Sequence, residues 1–127
     1  MVTSLRNTKR ILAVLFGVGF IVGFLLTPLG FETRMHELRS SWIPVFFITV
    51  GLVLPLAGFI LLFFKPKIAG ILAVIDAAFM FLTPPADQLL VFFTVKPPPI
   101  VTAGEFVLIL VGIGYMLWGP RYFMKAE

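Results

Sequence analysis

A chain of 127 residues that is 60% hydrophobic and 13% charged has too little polar surface to cover itself in water. An ordinary soluble domain is about half apolar and about a quarter charged. The mean hydropathy of +1.09 sets the exterior against lipid. There is no cysteine, which excludes disulfides, thiol redox chemistry and thiolate metal sites. The net charge of +4 is spread along the chain instead of forming the clustered patch of a nucleic-acid footprint.

Four apolar runs predict an all-α, polytopic membrane protein, a four-transmembrane-helix bundle forming one domain over residues 1–127. The first run, residues 11–29, is uncharged and spans roughly 28 Å at 1.5 Å per residue, enough for a ~30 Å hydrocarbon core. A cleaved signal peptide would have a shorter apolar region ending in small residues, so an uncleaved first helix is expected. Its Ala13, Gly17, Gly19 and Gly23 allow close helix approach. The connection that follows holds Glu32, Arg34, His36, Glu37 and Arg39. Glu32 and His36 are four apart and suit one helical face, but two ligands are fewer than a closed metal site needs. The segment reads as a solvated face, with Glu32, His36 and Glu37 as candidates for docking a partner.

The second run, residues 43–64, is uncharged and carries Pro55. This proline forfeits a bond to the Gly51 carbonyl, so a bend is expected there. The third run, residues 68–83, is short for a crossing and contains Asp76. Pro84 and Pro85 predict its end near Thr83. Residues 84–99 form an outer segment in which the apolar octet 88–95 is too short to span. It is expected to be interfacial or re-entrant, with a protein-shielded surface loop as an equal alternative. The stretch Lys96-Pro97-Pro98-Pro99 reads as a stiff connector. The fourth run, residues 100–119, contains Glu105.

Orientation follows from the Lys and Arg residues. Arg6, Lys9, Arg10, Lys65, Lys67, Arg121 and Lys125 lie on one side, and Arg34, Arg39 and Lys96 on the other. The positive-inside rule then puts both termini in the cytoplasm. Trp42, Tyr115, Trp118 and Tyr122 suit aromatic interface belts. The multi-pass chain is thus expected in a cell or inner membrane.

Two acids within apolar runs hold the functional information, because a carboxylate near a helix centre costs ~2.5–3.5 kcal/mol on insertion scales. Asp76 shares its helical face with Ala69, Ala73, Met80 and Thr83, so it is expected to point inward. Glu105 shares a face with Leu108, Ile109, Gly112 and Met116 and lies near the outer interface. Three readings of the pair remain: packing with Glu105 among headgroups, proton or cation transport, and pairing with a basic residue of another subunit. The leading expectation is a structural or accessory subunit of an oligomer or membrane complex. The alternative is a small proton- or cation-coupled transporter using Asp76 with Glu105. Catalytic residues, cofactors, metals and nucleic-acid partners are not expected, whereas the lipid bilayer and other membrane subunits or a second copy are. The topology is checked by cysteines placed at Thr3, His36, Lys67 and Pro98. An impermeant reagent should label only His36→Cys and Pro98→Cys in intact cells, and labelling of Lys67→Cys would contradict the assignment.

Overall fold

The computed structural model describes residues 5–32 and 34–125. Helix α1 (Leu5–Glu32) forms the first span, α2 (Ile43–Ile48) and α3 (Leu54–Phe64) together the second, α4 (Pro66–Gln88) the third and α5 (Pro99–Lys125) the fourth. Each is long and apolar enough to cross a membrane. Among the described residues the only extended pairing is an isolated antiparallel bridge between Leu38 and Phe93. Lipid-facing positions carry large apolar side chains, including Phe24, Val45, Phe64, Leu82 and Leu110.

Glycines set the helix contacts. A Cβ on Gly23 of α1 would collide with the Gly51 carbonyl, and one on Gly58 of α3 with the Phe16 ring, so α1 and α3 run antiparallel in close contact. On the other side of α1, Leu26 and Leu15 press against Gly104 and Gly114 of α5. Gly112 and Gly119 of α5 admit Met80 and Ala73 of α4. Gly19 and Gly23 of the α1 stripe therefore serve packing within one chain, whereas Gly17 meets nothing within 4 Å; hydrocarbon favours such contacts because close backbone approach replaces the missing hydrophobic drive.

The break in the second span is a π-helical turn, Thr49–Val53, between α2 and α3. Pro55 lacks the N–H that would bond to Gly51. Gly51 lies against Gly23, so the π-helical turn preceding the proline is also a helix contact.

Helix α4 continues past the expected stop at Thr83, through Pro84 and Pro85 to Gln88. Two prolines forfeit two bonds, but their fixed φ is helical, and membrane helices accept proline where neighbours cover the freed carbonyls. Two residues past the end of α4 the chain turns at Leu90, whose φ of 64° places a leucine in the left-handed region. Leu90 N–H bonds to Asp87 O at 3.2 Å and Val91 N–H to Ala86 O at 3.0 Å, the paired bonds of a Schellman ending. The outer segment thus starts at Leu89, and α5 extends beyond 100–119 at both ends, with Pro99 at its first position.

In the loop that follows Gln88, Phe92 and Phe93 turn inward while Leu89, Val91 and Val95 are exposed. Phe92 and Phe93 are buried against Phe31 and Ile43. Arg39 N–H bonds to Phe92 O at 3.0 Å and Thr94 N–H to Glu37 O at 2.9 Å, so the two connections at this end brace one another. Aromatic rings of Phe46, Phe47, Phe92 and Phe93 fill the space beneath. Trp42 is exposed, as a belt residue should be, but Tyr115 and Tyr122 are buried. Helix α5 packs against both α1 and α4, so its tyrosine face turns inward and away from headgroups.

Candidate functional site

The continuation of α4 beyond its prolines turns one of its faces into a polar stripe. Asp76, Met80, Thr83 and Asp87 follow at spacings of four, three and four, and all are buried, as a single helical face requires. The stripe extends over about 17 Å of helix. Among the described residues the buried charged side chains are Arg34, Asp76, Asp87 and Glu105, three acids against one base.

Arg34 and Asp87 form the upper end, at the pole opposite the chain termini. The Arg34 guanidinium donates through Nη1 to Asp87 Oδ1 at 2.7 Å and through Nη2 to Oδ2 at 3.2 Å. Its Nε donates to Gly30 O at 2.9 Å, and its plane lies 3.9 Å from the Phe93 ring centroid. Side-chain exposures of 3% and 1% make this a buried bidentate pair, the geometry that compensates desolvation best. The basic residue needed by the interior therefore comes from the first connection.

Glu105 lies beside this pair. Gln88 donates through Nε2 to Glu105 Oε1 at 3.0 Å and to Thr102 Oγ1 at 2.9 Å. The Glu105 carboxyl also neighbours Asp87. It is only 6% exposed: α5 directs it into the bundle rather than outward, less than two turns after Pro99. A cavity of about 50 Å³ lies beneath, lined among others by Thr27, Arg34, Thr83, Met80 and Glu105. About 10–15 Å³ suffices for one water-sized occupant. Thr83 Oγ1 is buried there without a hydrogen bond.

Asp76 lies one turn below Met80 and points inward as expected, 1% exposed. The Tyr115 hydroxyl lies alongside it but donates to Leu15 O at 3.2 Å. Neither Asp76 oxygen has a hydrogen-bond partner.

The outer-connection candidates are dispersed. Glu32 ends α1, whereas His36 lies in a separate 3-10 turn, Met35–Glu37, so they do not share a helical face. Both are exposed. Glu37 accepts a hydrogen bond from the Thr94 hydroxyl and so braces the loops. No group of three or more potential metal ligands occurs among the described residues. Sequence reasoning missed Arg34, Asp87 and Gln88. The signal was present in Asp87, which continues the spacing from Asp76 and Thr83 once α4 is carried past the prolines.

No family model, characterised protein or solved structure matches this chain.

The buried pair makes a quantitative prediction. Asp87→Leu strands the guanidinium, at a cost of about 3–5 kcal/mol, whereas Arg34→Met combined with Asp87→Leu should recover most of that loss. Unfolding free energies measured in bilayers or mild detergent check this, and losses that simply add would contradict the pairing.

Proposed function

We propose that this membrane protein binds protons or a small cation inside its helical bundle and passes them between Glu105 and Asp76. The observation that carries this reading is the charge imbalance of the interior: three buried carboxyls against one guanidinium. Arg34 is committed to Asp87. An acid without a counter-charge in a low-dielectric interior is held as the neutral carboxylic acid or together with a cation, because the bare carboxylate is too costly. Glu105 and Asp76 are in that position, and the cavity that Glu105 and Thr83 line reaches Met80, one turn of α4 from Asp76. Its size suits a proton carried through water, or a small cation, and is too small for an organic solute.

The same burial argues against the two acids serving as pairing points for a basic residue of another subunit, because Asp76 is enclosed by its own chain. An accessory role in an oligomer or larger complex then rests on the exposed Glu32 and His36, and is the second reading.

The test is proton and monovalent-cation flux into liposomes containing the full chain. Asp76→Asn keeps the side-chain size and removes the titrating group. It should lower flux at least about a hundredfold, the lower end of the scale on which an essential proton-transfer group acts, while melting temperature stays equal or rises. A wild-type rate no higher than that of empty liposomes, or a mutant rate equal to wild type, would favour the accessory reading.

A further inference from the structure

A second site lies at the opposite pole, where α1 begins and α3 ends. Arg6, Lys9, Arg10 and Ala13 recur at spacings of three, one and three, which places all four on one face of α1. With Phe63 of α3 they line a groove of about 280 Å³, and no acidic residue among the described residues borders it. The Lys9 ammonium lies 4.7 Å from the Phe63 ring centroid, within cation–π range, so the side chain is drawn toward the groove wall. Ala13 leaves the floor open.

The depth of the groove identifies its occupant. The uncharged run of α1 starts at Ile11, directly after Arg10, and α3 ends at Phe64 beside Phe63. The three cations therefore sit at the edge of the hydrocarbon layer, where lipid phosphates lie, while Ala13 and Phe63 continue the groove into the apolar zone. A free phosphate would use the cations but not the apolar floor. We infer that this groove binds an anionic phospholipid, its phosphate among Arg6, Lys9 and Arg10 and the start of its acyl region against Ala13 and Phe63. Basic residues bordering a membrane span attract anionic headgroups through the same electrostatics. On the orientation read from the Lys and Arg asymmetry, the groove faces the cytoplasmic leaflet.

The experiment is native mass spectrometry of the full chain in mild detergent, titrated with phosphatidylglycerol and, separately, phosphatidylcholine. Wild type should retain phosphatidylglycerol selectively. Arg6→Gln with Arg10→Gln should weaken retention by about fivefold for each charge removed. Ala13→Leu, which narrows the groove and keeps every charge, should also weaken it, and this variant guards against altered insertion in the charge mutant. Equal retention of the two lipids would overturn the inference. So would full retention by Ala13→Leu, which would mean unspecific surface attraction, or displacement of phosphatidylglycerol by millimolar inorganic phosphate.

Discussion

The arginine buried at one pole of the bundle is the constraint on which this structure depends. Moving a guanidinium out of water costs several kcal/mol, and that cost is recovered only if the partner geometry is close to ideal and the remaining donors are used. Arg34 meets both conditions with Asp87 and the Gly30 carbonyl, and Phe93 covers its face. Those three partners come from α1, the end of α4 and the loop before α5. One side chain thus ties the ends of two spans, α1 and α4, and holds the outer loop over the bundle.

Several other features follow from that tie. Helix α4 must run through Pro84 and Pro85 to bring Asp87 within reach of Arg34. The next residue, Gln88, is then placed to hydrogen-bond Glu105. The Schellman ending at Leu90 turns the chain so that Phe92 and Phe93 fold back under the first connection. The left-handed leucine is the strain accepted at this turn, since bulky residues rarely adopt φ above zero.

The spans, their antiparallel order and the inward direction of Asp76 were legible because they depend on local quantities: run length, charge content and helical periodicity. The pairing of Arg34 with Asp87 was not legible, because it joins residues 53 positions apart and requires a helix to continue where local rules end it. The prolines were read by their cost in water, whereas packing of α4 against α5 sets the outcome here. Tyr115 was misplaced for a related reason. An aromatic near a helix end suits the membrane interface, but α5 is packed on two sides, and its tyrosine face became the wall beside Asp76. Glu105 likewise looked peripheral by sequence position and is interior by helical phase.

Asp87 is matched within the bundle, whereas Asp76 and Glu105 lack a cation of their own, and this difference gives the polar stripe its chemistry. A buried carboxylate would normally secure several hydrogen bonds; beside Asp76 lies the Tyr115 hydroxyl, which donates to Leu15 O. The most direct measurement is infrared difference spectroscopy of the carboxyl C=O stretch, recorded on the full chain in bilayers as pH is stepped. The account predicts a carboxylic-acid band that changes with pH, and Asp76→Asn should remove its Asp76 component while leaving that of Glu105. A spectrum with no pH-sensitive carboxyl band, or one unaltered by that substitution, would contradict it.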